Sequence, residues 1–195
     1  MAVGFLGRSL RRNAGPDKVK MKHQRSFPII HIVGLPGAGK TTLGRQLSKK
    51  LDLPVFYIGD YRARYSKTAI GEVDAWVALF RALSRRRWQD CILETTGLNF
   101  REEFLRKALP FGQMMTVKLE ASRKMLHKRI RMKKKSEQGG DWLFSKDLPD
   151  KVAFVDRLYK KFCLLPADVV VNTEHLTRTQ VYCLALKKVE ESELL

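Results

Sequence analysis

A three-layer α/β sandwich on a five-stranded, mainly parallel sheet is the fold that this chain of 195 residues predicts, on three observations. From Phe27 onward, short apolar runs alternate with helically spaced apolar residues, the order in which a parallel sheet covered on both faces is assembled. A glycine-rich turn, Gly34 to Thr41, separates the first such run from the first helical pattern. The length suits one domain with a real core and is short for two.

The first predicted strand is Ile29-Ile30-His31-Ile32-Val33. Leu43, Leu47 and Leu51 then recur on one helical face, and Val55 to Ile58 supplies the second strand. Val73, Trp76, Val77, Phe80 and Leu83 fall at i, i+3, i+4, i+7 and i+10, which predicts an amphipathic helix over 72–87 with these residues on its apolar face. Cys91-Ile92-Leu93 reads as the third strand, 101–108 as a helix and Met115 to Leu119 as the fourth strand. A basic helix opens near Ser122. Val152, Val155, Leu158, Tyr159 and Phe162 mark another helix, and Ala167 to Val171 the fifth strand. Thr177 has the chemistry of an N-cap for a last helix carrying Val181, Leu184, Ala185 and Val189.

With 44% hydrophobic and 30% charged residues, the composition is that of a soluble globular protein and excludes a fibrous or fully disordered chain. No run approaches the roughly 18 apolar residues of a membrane span. Cys91, Cys163 and Cys183 are few, widely spaced and set in apolar stretches, which predicts buried thiols and neither a disulfide framework nor a zinc site. A cytoplasmic location follows as the expectation. The net charge of +18 favours anionic partners such as nucleotides or nucleic acid. Part of it lies in residues 1–26, where Arg8, Arg11, Arg12, Lys18, Lys20, Lys22 and Arg25 face one acid, Asp17. This stretch reads as a flexible basic arm ahead of a domain over 27–195. Three roles are open to it: a solvated tail with Met21 as an alternative start, a nucleic-acid tether, or an arginine-rich targeting segment.

Gly34-Leu35-Pro36-Gly37-Ala38-Gly39-Lys40-Thr41 matches G-x-x-x-x-G-K-[ST] in full, after a strand and before a helix. Its glycines let successive backbone N–H groups turn inward, and the helix N-terminus adds partial positive charge, so the loop through Thr42 is built for phosphates. In this chemistry Lys40 reaches the β- and γ-phosphates and the Thr41 hydroxyl ligates Mg²⁺. No N-K-x-D guanine motif occurs, which favours ATP over GTP.

Over about Ile29 to Glu190 the chain resembles the small P-loop kinases, which include nucleoside and nucleotide kinases, polynucleotide 5′-kinases and the kinase domain of bifunctional fructose-6-phosphate 2-kinases. Four features carry the resemblance: the loop itself, Tyr57 to Arg64, Leu93 to Leu98 and the basic helix. It implies that Asp60 accepts the proton of an attacking hydroxyl and that Arg62 or Arg64 binds an acceptor phosphate. In Leu93-Glu94-Thr95-Thr96-Gly97-Leu98, Glu94 stands where the family usually has Asp, so contact with Mg²⁺ through water is implied, with Thr96 on the substrate side. Arg123, Lys124, Lys128, Arg129, Arg131 and Lys133 to Lys135 lead into Gly139-Gly140-Asp141-Trp142, and the family keeps a helical lid here, about 128–150. Leu126 to Ile130 resembles the lid entry L-x-x-R-I and singles out Arg129 for catalysis. Asn172-Thr173 resembles the segment beside the adenine ring, and Arg157 a second arginine facing the lid.

These features point to transfer of the γ-phosphoryl group of Mg-ATP to a small-molecule or nucleotide-type acceptor. A nucleic-acid-associated P-loop ATPase or a polynucleotide 5′-kinase is the alternative. Removing residues 1–25 is expected to leave ATP affinity and turnover unchanged, because the arm carries none of the motifs. Titration of full-length and truncated chains with ATP checks this, and a loss of ATP affinity would break the proposed division of the chain.

Overall fold

A computed structural model describes residues 27–110, 113–132 and 151–192. The basic arm, Lys133 to Lys135, and Gly139 to Trp142 with most of the expected lid, lie outside the described residues. Within them the order is β1 (Ile29–Gly34), α1 (Lys40–Leu51), β2 (Val55–Tyr57), α2 (Ile58–Arg62), α3 (Ala69–Arg85), β3 (Ile92–Thr95), α4 (Phe100–Ala108), β4 (Met114–Glu120), α5 (Arg123–Met132), α6 (Lys151–Cys163), β5 (Val169–Asn172) and α7 (Arg178–Ser192). The strands form one sheet in the order β2-β3-β1-β4-β5, and each neighbouring pair is parallel.

β1 is central, and every one of its residues is buried, as a strand covered on both faces requires. Ile30 and Ile32 point into a core shared with α1, α5, α6 and α7, through Leu43, Leu47, Leu126, Ile130, Val155, Phe162, Ala185 and Val189. Ile29 joins a second core with Ile58, Trp76, Leu79, Leu83, Leu93 and Leu105. From β1 the chain crosses past β3 to β2 at one edge, and from β3 it crosses back past β1 to β4, so the turn after Gly34 sits at a topological switch point, where open α/β sheets bind ligands.

Four local expectations are corrected. Ile58 opens α2 rather than ending β2, and its burial in the second core is why an unbroken apolar run hid the change of conformation. α3 starts three residues early, capped by the Thr68 hydroxyl accepting from the Gly71 N–H at 3.1 Å, and stops at Arg85 because Arg87 and Trp88 take positive φ. Its buried face is Ala75, Trp76, Leu79 and Leu83, while Val73 and Val77 are exposed. The small Ala75 is fully buried, and a count of large apolar residues overlooks it. Of the three cysteines only Cys91 is buried, since Cys163 and Cys183 lie on outer helix faces.

β3 runs on to Thr95, carrying Glu94 and Thr95 into the ladder, and the chain then turns sharply at Gly97, with φ 83°. A Cβ there would lie 2.6 Å from Leu165 Cδ2 and 3.0 Å from Val33 Cβ. Gly97→Ala is therefore expected to lose at least the roughly 1–2 kcal/mol of a left-handed L-residue, read as a lower urea midpoint with an unchanged slope.

Candidate functional site

The carboxyl ends of the strands bring together residues far apart in sequence. Gly34 ends β1 and the loop folds on itself, the Ala38 N–H donating to the Leu35 carbonyl at 3.1 Å. Gly37 and Gly39 take φ 86° and 99°, the left-handed region that only glycine enters without strain. A Cβ on Gly37 would stand 3.0 Å from the Leu126 carbonyl and 3.5 Å from Arg129 Cβ, so the loop lies directly against α5. No side chain caps α1 and its first turn holds no acid. The partial positive charge of this helix end suits an anion.

β1 and β3 are registered with Ile32 opposite Glu94. This puts the Glu94 carboxylate at the mouth of the loop, where Oε1 accepts the Thr41 hydroxyl at 3.1 Å and lies 3.9 Å from Lys40 Nζ. A hydroxyl and a carboxylate side by side are the hard oxygen donors that suit Mg²⁺. Tyr57, at the end of β2, has its phenol pushed above the usual range by burial and by the Glu94 charge.

On the other side of Glu94, Asp60 stands exposed on α2. Arg62, two residues along that helix, is buried and held bidentately by Glu72, Nε to Oε2 at 3.0 Å and Nη2 to Oε1 at 2.7 Å. The same Glu72 oxygen accepts Trp76 Nε1 at 2.8 Å and Asn99 Nδ2 at 3.4 Å. Arg64 is exposed, with its guanidinium carbon 5.2 Å from the Tyr61 ring centroid. Thr96 is half-buried just past β3.

Beneath this side lies a polar chain that sequence patterns did not single out. His31 Nε2 is 2.7 Å from Thr95 Oγ1, which accepts the Gly97 N–H at 3.1 Å. Burial, helped by Arg106, pushes the His31 pKa down to about 3, so the ring is neutral. Glu102, on α4, accepts the Asn99 N–H at 3.2 Å, half of a capping box. Its carboxyl is pushed up to about 7 by burial, against the opposing pull of the Asn99 N–H, the Thr95 hydroxyl, Arg62 and Arg106. The spacing Asn99-x-x-Glu102 was a legible cap signal, but nothing in it foretold burial.

At the far edge, Arg129 passes beside Gly37 and donates to Thr173, Nη1 to Oγ1 at 2.8 Å and Nη2 to the carbonyl. Burial pulls its pKa below the usual arginine range. Asn172 is exposed, and its Oδ1 accepts the Glu174 N–H at 2.9 Å. Arg157 lies on the outer surface of α6. The fold thus gathers Gly34 to Thr42, Glu94 and Arg129 around one loop and sets Asp60 and Arg64 to one side, with Arg62 drawn into a buried pair.

No protein-family model matches the chain. Over 46 residues it is 44% identical to an adenylate kinase of Rickettsia rickettsii (strain Sheila Smith), and 41% identical to that of Rickettsia prowazekii (strain Madrid E). The matched stretch is 24% of this chain and spans only 22% of the length of those curated relatives. Among solved structures, a shikimate kinase from Acinetobacter baumannii in complex with shikimate is similar at a TM-score of 0.59 and 18% identity, over 87% of this chain and 96% of that one. A shikimate kinase from Bacteroides thetaiotaomicron is similar at 0.58 and 20% identity, over 86% and 96%. A gluconokinase from Sinorhizobium meliloti 1021 is similar at 0.56 and 17% identity, over 84% and 92%. The fold is that of the small P-loop kinases.

The Glu102 carboxyl holds its proton in the folded chain up to about pH 7, against an ordinary value of 4.5. The stability it contributes is complete below the lower value and is lost as pH rises through the upper one. Glu102→Gln, which keeps the neutral shape, is expected to flatten the fall in stability across that window, an effect of at most about 3 kcal/mol. Urea unfolding at pH 5 and pH 8 checks it, and parallel curves for the two proteins would contradict a buried neutral carboxyl.

Proposed function

We propose that the chain is an ATP-dependent phosphotransferase that moves the γ-phosphoryl group of Mg-ATP to a small-molecule or nucleotide-type acceptor. The observation that carries this reading is the meeting of Lys40, Thr41 and Glu94 at the open N-terminus of α1, at the sheet's switch point. The N–H groups from Gly37 to Thr41 line the phosphate path, and Lys40 neutralises charge on the transferring group. Thr41 and Glu94 would hold Mg²⁺, Glu94 through a water. Held there, the ion would supply positive charge to offset the charge that develops on the transferring group.

Asp60 is exposed on the opposite side of Glu94 from α5, where it is suited to accept the proton of an acceptor hydroxyl. Because Glu72 engages Arg62, the exposed Arg64 is the better supported of the two arginines for binding an acceptor anion. Arg62 instead ties α2 to α3 and so steadies Asp60. Arg129, with its guanidinium at the exit of β5, supports the nucleotide side of the site with Asn172 nearby. The similar shikimate kinases and gluconokinase, with their small acceptors, favour a small acceptor here as well.

A transfer screen with γ-labelled ATP against nucleosides, nucleotides, sugars and nucleic-acid ends identifies the acceptor. Lys40→Ala is expected to abolish transfer while the far-UV spectrum stays unchanged; full activity in this variant would remove the phosphoryl-transfer reading. Asp60→Asn is expected to lower kcat by about 10²- to 10⁴-fold with little change in ATP affinity. Equal losses in both would instead assign Asp60 to the metal or the fold. Glu94→Gln and Thr41→Ala are expected to raise the Mg²⁺ concentration needed for half-maximal rate.

A further inference from the structure

α5 is basic on more sides than the nucleotide site uses. Its ten residues carry Arg123, Lys124, Lys128, Arg129 and Arg131 and no acid. Leu126 and Ile130 are buried in the core, and Arg129 turns inward to Thr173 beside the phosphate loop. At about 100° per residue, Lys124, Lys128 and Arg131 project on the far side of the helix from that buried stripe, and all three are exposed. Arg123 and His127 face α6, where Asp156 Oδ1 lies 3.6 Å from Arg123 Nε and 3.1 Å from His127 Nε2. Among the described residues, no carboxylate lies within ion-pair distance of Lys124, Lys128 or Arg131.

This surface is concave. An open cleft of about 780 Å³ runs along α5 toward α6, lined by Arg123, Lys124, His127, Lys128, Arg131 and Met132, with Asp156 the one acid among the described residues of its wall. We propose that the outer face of α5 and this cleft bind the sugar-phosphate backbone of nucleic acid, without reading sequence.

The spacing favours a polymer over a single phosphate. Lys124 and Arg131 are seven positions apart, about 10 Å along the helix axis, a reach that meets successive phosphates of one strand. A membrane surface fits less well, because helices that lie on bilayers keep an apolar face for the acyl region, and the Leu126–Ile130 stripe is spent on the core. The net charge of +18 adds long-range attraction for a polyanion. The face points away from Gly37, so an occupant leaves the phosphate loop open, and the proposal stands independently of the phosphotransferase reading.

The test uses the full-length chain and a fluorescein-labelled 20-nucleotide single-stranded RNA, with DNA of the same sequence and its duplex as further arms. Anisotropy is followed from low to physiological salt. The wild type is expected to bind with steep salt dependence. The triple variant Lys124→Glu, Lys128→Glu, Arg131→Glu is expected to bind at least tenfold more weakly, with a log–log salt slope shallower by about 2, three phosphates at roughly 0.7 each. RNA binding by Lys40→Ala should equal that of the wild type, which separates this surface from the loop. If the charge-reversed chain fails to fold, the glutamine triple variant at the same positions is read instead, with a smaller loss in the same direction. Absence of wild-type binding at low salt, equal binding by the folded variant, or displacement of the RNA by Mg-ATP would each overturn the proposal. Binding to phosphatidylserine vesicles but not to nucleic acid would overturn it in favour of a membrane.

Discussion

The Thr41 hydroxyl meets the Glu94 carboxylate at 3.1 Å because β1 and β3 lie side by side and parallel, with Ile32 opposite Glu94. Residues 53 positions apart reach one point in this way. Shifting β3 by one residue would turn Glu94 to the other face of the sheet, since side chains alternate along a strand. Burial of β1 on both faces locks that register, through Ile30 and Ile32 in one core and Ile29 in the other. The geometry at the loop therefore rests on apolar packing below it. A glycine-rich turn alone would supply the N–H groups without the acid.

The side of the site that carries Asp60 and Arg64 is held differently, by buried polar groups. Glu72 gathers Arg62, Trp76 and Asn99, and Thr95 links His31 of the central strand to the α4 cap, where Glu102 is buried. Buried charges are costly unless fully partnered, and such networks contribute specificity of arrangement more than net stability. Here the arrangement specified is the placement of α2 and α3 against the end of β3. Asp60 and Arg64 stay outside the network and remain exposed to whatever enters from solvent.

α5 divides its cations between two duties. Leu126 and Ile130 orient the helix, and that orientation alone sends Arg129 toward the phosphate loop and Lys124, Lys128 and Arg131 outward. Asp156 on α6 draws in Arg123 and His127 and keeps the two helices in register. A charge run that reads as uniform in one dimension becomes two chemically separate faces once the helix packs.

What could be read along the chain was whatever depends on neighbours in sequence. The phosphate loop is legible because its glycines answer a local backbone demand, positive φ at Gly37 and Gly39, and the five strands are legible because burial on both faces writes continuous apolar runs. Glu94 was singled out through the resemblance of Leu93 to Leu98 to the third-strand motif of the small P-loop kinases. Pairings between distant segments were not: the capture of Arg62 by Glu72, the burial of Glu102, the turn of Arg129 onto Thr173, and the exposure of Val73 and Val77. Each depends on which side chain of another element occupies the facing space. Charge and hydropathy state what a residue prefers, and only the packed sheet and helices decide which partner it finds.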